Sequence, residues 1–167
     1  MVERSTHGTD KVTRDELEQR KLVQEITSLF EHKISFNEFL GIRLERLEIA
    51  PVRIGFDMRP EFVGHYVYGR LHGGMISSVL DVVGGLAVMW AIAEYYKHED
   101  AATVMTRFAH LGTIDLRVDY LRQGIGKKFS AEATVVRLGK RIAACQMSLL
   151  NEESTLIATG NANYIVS

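Results

Sequence analysis

The stretch YGRLHGGMISSVLDVVGGLAVMWAI, residues 68–92, contains a long apolar run with one acidic residue near its middle. Between Gly73 and Ala93, Asp81 is the only charged residue. A run that is apolar on nearly every side predicts a buried helix, here over 73–96, which other elements must cover. Because a buried charge is rarely kept without a partner or a function, Asp81 is the first candidate functional residue.

The segments on both sides of this helix alternate apolar and polar residues, which is typical of half-buried strands. Two such runs precede the helix and four follow it, at 42–49, 52–58, 114–120, 129–135, 143–149 and 156–166. In the first run the alternation of apolar and polar residues is interrupted at Glu45-Arg46, which predicts a bulge. This order of elements predicts the α+β class, with an antiparallel sheet wrapped around one long central helix.

The N-terminal part predicts a disordered polar tail over residues 1–12, followed by an accessory amphipathic helix. The residues from Thr13 onwards fit a capping box. Apolar residues at helical spacing follow, and they predict a helix over 14–32 that packs on the outside of the sheet. A second capping box begins at Ser35, and Gly41 is suited to end the short helix behind it.

Length and composition favour one main domain over 36–167, preceded by the tail and accessory helix over 1–35. The net charge is −1 without a basic stripe, which argues against nucleic-acid binding. The single cysteine, Cys145, allows no internal disulfide and suits the cytoplasm. No signal peptide is visible, and the charge at Asp81 argues against a membrane span. The sequence shows neither a metal-ligand cluster nor a nucleotide-binding glycine loop, so we expect no metal or cofactor.

Two glycines, Gly84 and Gly85, follow Asp81 by three and four residues and therefore lie on its face of the helix. Each lowers helix stability by up to about 1 kcal/mol relative to alanine. Their effect is to remove side chains beside the carboxylate. This leaves either room for a substrate or space for a strand or a second helix to approach closely, and both interpretations stay open.

The triplet His72-Gly73-Gly74 begins the helix. The N–H groups of a first helical turn have no partner within the helix, and glycines leave them unshielded, so they can polarise a carbonyl oxygen. Gly73 precedes Asp81 by eight residues, which is about 12 Å along the helix axis. One chain therefore cannot bring both groups to one carbonyl, whereas two antiparallel copies of the helix can. The spacing predicts an obligate homodimer with two shared sites.

Three features together resemble the hotdog-fold acyl-CoA thioesterases, specifically the phenylacetate-pathway (PaaI-like) branch. They are His72-Gly73-Gly74, Asp81 nine positions after the histidine, and the later strand TIDLRVDYLR at 113–122. The resemblance covers residues 36–166. It implies a hotdog sheet around the helix, a homodimer that often pairs again into a dimer of dimers, and hydrolysis of an acyl-CoA thioester without a cofactor.

The resemblance also implies roles for individual residues. Asp81 matches the family's catalytic carboxylate, which acts as a nucleophile or as a general base for water. Gly73, between His72 and Gly74, matches the backbone donor to the thioester carbonyl. Thr113 stands where relatives carry a Ser or Thr that positions the attacking group.

One position departs from the family pattern. Many relatives carry an Asn six residues before the histidine, whereas this sequence has Tyr66 there, with His65 beside it. The contribution of that amide is therefore absent or replaced. The phosphates of CoA predict basic residues at the pocket mouth, with the turn at 139–141 preferred. The candidates are Arg122, Lys127, Lys128, Arg137, Lys140 and Arg141.

The uninterrupted apolar helix and the gap at Gly84 and Gly85 favour a medium- or long-chain acyl group. Two other functions stay open. One is a non-catalytic acyl-CoA binding or sensing module of the same fold, which would need no carboxylate at position 81. The other is a hotdog dehydratase, with His65 as the catalytic histidine of the loop.

Overall fold

The structure, a computed structural model, describes residues 13–47 and 50–167, so the tail predicted over 1–12 lies outside the described residues. The N-terminal segment contains α1 (Glu16–Ser28), a π-helical turn (Leu29–Lys33) and α2 (Ser35–Leu40). The remaining α-helices are α3 (Gly73–Tyr95) and α4 (Ala101–Arg107), and two 3-10 turns lie at Pro60–Phe62 and Phe108–His110. The strands are β1 (Arg43–Arg46), β2 (Val52–Asp57), β3 (Val63–His65), β4 (Arg70–Leu71), β5 (Gly112–Tyr120), β6 (Lys128–Leu138), β7 (Ile142–Asn151) and β8 (Leu156–Ile165).

Six strands form one sheet in the order β1-β2-β6-β7-β8-β5, and every neighbouring pair is antiparallel. The long helix α3 connects the first two strands to β5, which lies at the far edge of the sheet. The bulge predicted in the first strand is present, because the register between β1 and β2 shifts between Leu44 and Arg46. The predicted α+β class and antiparallel sheet are confirmed.

Helix α3 packs along strands β2, β5, β6, β7 and β8, and it supplies the centre of the core. Its side chains at Leu80, Val83 and Leu86 are fully buried, as are Phe56 and Leu149 of the sheet. By length and composition α3 could cross a membrane, but 67% of its most apolar window is buried inside the fold. Its position in the core therefore explains its composition.

Helix α1 begins two residues later than the sequence predicts. The Asp15 carboxylate accepts a hydrogen bond from Glu18 N at 2.8 Å, so Asp15 is the N-cap and the predicted cap at Thr13 is wrong. Aspartate accepts this bond as well as threonine does, and both choices fit the sequence. The second predicted cap is also wrong, because Ser35 is already helical, whereas Gly41 ends α2 with φ +67° as expected.

The N-terminal segment lies on the α3 side of the sheet, with α1 packed against α4, rather than on the outside of the sheet. At the carboxyl end of α3, the Arg14 guanidinium donates to Ala93 O at 2.9 Å. At the other end, Phe39 contacts Phe62, whose carbonyl oxygen accepts from His72 N at 2.8 Å. Residues 14–40 therefore run antiparallel to α3. The predicted position on the outside of the sheet is wrong, because α1 packs against α4 and the segment behind it faces α3 across a cavity.

Two elements were missed in the sequence. Helix α4 lies between the predicted helix and the next predicted strand, where the sequence predicted no element. It is capped by the Asp100 carboxylate, which accepts from Thr103 N at 2.8 Å. The loop at 60–71 contains the short hairpin of β3 and β4. Both are too short to produce a clear hydrophobic period.

Candidate active site

Asp81, in the middle of α3, receives hydrogen bonds from side chains of two strands. Thr113, at the start of β5, donates its hydroxyl to Asp81 Oδ1 at 2.8 Å. Tyr164, near the end of β8, donates to the main-chain oxygen of Asp81 at 2.9 Å, and its hydroxyl oxygen lies 3.2 Å from Oδ1. One carboxylate oxygen is therefore held in place. The other, Oδ2, makes no hydrogen bond to any of the described residues.

Tyr164 is a rigid part of this arrangement because it is only 1% exposed. Burial, and to a lesser degree the neighbouring Asp81 charge, raises the pKa of Tyr164. The hydroxyl therefore remains protonated and serves as a donor at ordinary pH. No sequence motif identified this residue, since β8 was predicted only as a final strand.

The two glycines behind Asp81 have different surroundings. A Cβ at Gly84 would lie 2.2 Å from the Tyr164 hydroxyl oxygen, so the space predicted there for a substrate is filled by this side chain. For Gly84, close packing of a strand is the correct interpretation. A Cβ at Gly85 would meet Tyr164 only at 3.9 Å, and Gly85 lines an open cavity beside Asp81.

This cavity has a volume of about 270 Å³ and contains Asp81 and Thr113 in its wall. The wall continues along α3 from Asp81 to Met89, two turns further on. The opposite side comes from the N-terminal segment, which contributes Leu29, Phe30, Ile34 and Asn37. The accessory helix region, to which the sequence assigned no chemistry, therefore shapes the space next to the carboxylate.

The histidine-glycine triplet forms the start of α3. His72 is the N-cap, and its Nδ1 accepts from Gly74 N at 2.9 Å. The N–H of Gly73 has no acceptor among the residues that the structure describes. It borders a second cavity of about 590 Å³, which Arg70 and Arg122 also line. A free backbone donor therefore lies next to two cationic side chains.

Within one chain, Gly73 and Asp81 belong to separate cavities. Their eight-residue separation on α3 corresponds to about 12 Å along the axis. Hydrolysis needs the attacking group and the oxyanion donor within about 3 Å of the same carbonyl. The two groups of one chain therefore cannot serve the same carbonyl.

Comparison with known proteins identifies the family. The model of the thioesterase superfamily matches residues 68–158. The medium/long-chain acyl-CoA thioesterase YigI of Salmonella typhimurium is 38% identical over 146 residues, 87% of this chain and 92% of that protein. The YigI protein of Escherichia coli K12 gives the same identity and coverage. The chain belongs to the thioesterase superfamily. A crystal structure from Shewanella oneidensis, described as related to that superfamily, has a TM-score of 0.85 and 35% identity, covering 92% of this chain and all of the other.

Membership in this superfamily confirms the predicted family and hotdog fold. The assignment to the PaaI-like branch stays a prediction. The matched region contains the triplet, Asp81, Thr113 and the two glycines, whereas the N-terminal wall of the Asp81 cavity precedes it.

The remaining predicted site residues of this thioesterase lie elsewhere. Tyr66 is 91% exposed at the tip of the β3–β4 hairpin, and His65 stacks against it and against Tyr68. Neither His65 nor Tyr66 lines the cavity of Asp81 or of Gly73. Within one chain, His65 is therefore separated from Asp81, and a dehydratase that uses both groups would have to pair them across two chains.

The basic candidates are divided between the two ends of α3. Arg122 lines the Gly73 cavity, and its guanidinium donates to Leu156 O at 3.0 Å. Lys140 lines another cavity with Arg107 and Ile92, about 28 Å from Gly73 along the axis. The neighbouring Arg141 is exposed. Arg70 lines the same cavity as Arg122, and no sequence pattern identified it as a binding residue.

The site contains no recognisable metal centre. Within 13–47 and 50–167, no group of three histidine, cysteine, aspartate or glutamate side chains is placed to hold a metal ion. The polar groups around Asp81 are hydroxyls rather than ligating side chains. The chemistry available there is that of a carboxylate with positioned donors.

Proposed function

We propose that this chain hydrolyses medium- and long-chain acyl-CoA to the free acid and CoA. The observation that carries the proposal is the carboxylate of Asp81, held at Oδ1 by Thr113 and open at Oδ2 next to an apolar cavity. The names of the YigI relatives support the substrate class. The proposed reaction requires no cofactor, and we place the enzyme in the cytoplasm, where its buried free Cys145 stays reduced.

In the proposed reaction, the N–H of Gly73 donates to the thioester carbonyl oxygen and stabilises the negative charge that develops there. Asp81 Oδ2 either attacks the carbonyl carbon, forming an anhydride that water then hydrolyses, or takes a proton from an attacking water. Thr113 holds the carboxylate in position for either route. The CoA thiolate leaves and is protonated, and the acyl group is released as the acid.

The proposal includes a homodimer, because only a second chain can bring a Gly73 N–H to this chain's Asp81. Strand β5 supports such pairing. It is nine residues long and has β8 on one side only, so its other edge presents unpaired backbone groups. An antiparallel copy would also bring Lys140 and Arg141 of the partner subunit to the side of Gly73. There they can join Arg70 and Arg122 around the CoA phosphates. A dimer of dimers is the larger assembly that the resemblance implies.

The test combines two variants that each remove one half of a shared site. Asp81→Asn keeps the shape of the side chain but can neither attack nor accept the proton. Gly73→Pro replaces the N–H donor with a ring carbon, and the helix should still form because proline is tolerated as the first helical residue and His72 already has the extended conformation that precedes proline. We expect each variant alone to lose most thioesterase activity on a panel of acyl-CoAs, measured by release of free thiol.

Co-expression of the two variants in one cell should then restore about a quarter of the wild-type activity, because half of randomly paired dimers are mixed and each has one complete site. Full activity of Asp81→Asn would exclude the proposed chemistry. Loss in both single variants without recovery in the mixture would exclude the shared site. A chain that binds acyl-CoA without turning it over would instead be a binding module.

A further inference from the structure

The cavity beside Asp81 contains a polar side chain that the proposed chemistry does not use. Asn37 is 3% exposed and is the one buried polar residue among the described part of the chain. Its side-chain amide makes no hydrogen bond to any described residue. The nitrogen and oxygen of this amide are not completely shielded by protein atoms, so the amide retains contact with the cavity that Asn37 lines.

An unpaired amide in a buried position destabilises a protein, and a leucine of similar shape would avoid this penalty. Asn37 therefore needs a partner from outside the chain. In the free protein that partner is water in the cavity, which is open to solvent. In the complex, a group of the substrate can replace this water as the partner of the amide.

The rest of the cavity wall is mostly apolar, with Phe30, Met89 and Leu111 among its residues. Its volume is about 270 Å³. A cavity needs only about 10–15 Å³ of such space to hold one water molecule, so this cavity is large enough for a chain of several atoms. An acyl chain whose thioester lies at Asp81 fits this space.

The direction of the N-terminal segment places Asn37 near the thioester end of the cavity. The segment runs antiparallel to α3, with Arg14 at the carboxyl end of α3 and Phe39 near its amino end. Phe30 therefore lies toward Met89, and Asn37 lies toward Asp81. A substrate group that reaches the Asn37 amide belongs to one of the first carbons after the carbonyl.

We propose that Asn37 binds an oxygen substituent on the acyl chain, and that the preferred substrates are acyl-CoAs with a hydroxyl or keto group near the thioester, such as 3-hydroxyacyl-CoA. This inference rests on the proposed function. An unsubstituted chain displaces the water from the amide and leaves it unpaired, which weakens binding. A chain with an oxygen at this position replaces the lost hydrogen bond.

The test compares 3-hydroxydecanoyl-CoA, decanoyl-CoA and 10-hydroxydecanoyl-CoA on the full chain. We expect kcat/KM of the wild type to be about tenfold higher for the 3-hydroxy ester than for decanoyl-CoA, the value of one hydrogen bond. The 10-hydroxy ester should show no such gain. In Asn37→Leu the preference should disappear, because decanoyl-CoA turnover rises while that of the 3-hydroxy ester falls. The melting temperature of this variant should equal or exceed that of the wild type.

Phe36→Leu is the matched control, since Phe36 is the neighbouring residue and is 51% exposed. It should keep the wild-type ratio. Dissociation constants for the 3-hydroxy and decanoyl esters, measured by calorimetry in the Asp81→Asn background, provide a readout that does not need turnover. If no ester is hydrolysed, the proposed function fails while these constants still test the role of Asn37. A ratio near one in the wild type, an unchanged ratio in Asn37→Leu, or an equal loss on all esters would overturn the proposal.

Discussion

Gly84→Ala tests the packing that fixes Asp81. A Cβ at this position would lie 2.2 Å from the Tyr164 hydroxyl oxygen and 3.0 Å from its Cζ. Because Tyr164 is buried, its ring cannot move aside without displacing its neighbours. Overpacking of this kind typically costs about 1–3 kcal/mol. The displaced hydroxyl would also lose its hydrogen bond to Asp81. We therefore expect both kcat and the free energy of unfolding to decrease.

Gly85→Ala is the control on the same helix, since its Cβ would meet Tyr164 at an ordinary 3.9 Å. Each substitution gains about 1 kcal/mol of helix propensity, which cancels in the comparison. Gly84→Ala should therefore be less stable than Gly85→Ala by about 1–3 kcal/mol, which is about 2–12 °C in melting temperature for a chain of this size.

A double variant separates the clash from other effects. Tyr164→Phe removes the hydroxyl that the new methyl group would strike, so Gly84→Ala should be less damaging in that background. The measurement is thermal unfolding of the wild type, the three single variants and the double variant. Equal melting temperatures for the two alanine variants, or strictly additive effects in the double variant, would refute this account.

Three further predictions concern the same region. Thr113→Val keeps the side-chain shape but removes the donor to Asp81 Oδ1, so kcat should fall by about tenfold or more with an unchanged melting temperature; an unaffected kcat would show that the bond does not position the carboxylate. Gly85→Leu fills the cavity beside Asp81, so turnover of long acyl-CoAs should fall while that of short ones survives; a uniform loss across chain lengths would place the acyl chain elsewhere. Burial raises the pKa of Cys145 to about 12, so below that pH its thiol stays protonated. Native protein at pH 8 should therefore not react with a thiol reagent until it unfolds, and rapid labelling would contradict this burial.

The sequence was sufficient where one local pattern determines the result. The apolar run around Asp81 predicted α3, and alternation predicted the six strands of the sheet, because each pattern directly reflects which faces are buried. The contact between Thr113 and Asp81 followed only from the family resemblance.

Other features depend on how distant elements meet, which no local pattern records. The sequence could not distinguish Gly84 from Gly85, because the difference is set by Tyr164 of β8, about 80 residues later. The apolar stripe of α1 predicted that one face is covered, but not whether α4 or the sheet covers it. Asn37 likewise cannot be recognised from the sequence, because its burial and its contact with the cavity depend on how the N-terminal segment packs against α3.

Residues 14–40 run antiparallel to α3 and form a wall of the cavity beside Asp81. The proposed reacting groups and this wall therefore come from different parts of the chain. The proposed reacting groups lie within the 68–158 region that matches the superfamily, while one wall of the proposed acyl cavity precedes that region. If the proposed site is correct, exchange of this short segment between homologous thioesterases should give chimeras with altered acyl preferences. Such chimeras would keep Asp81, Thr113 and Gly73 unchanged. Only the residues that pack the segment against α3 and α4 would need to be compatible between the two proteins.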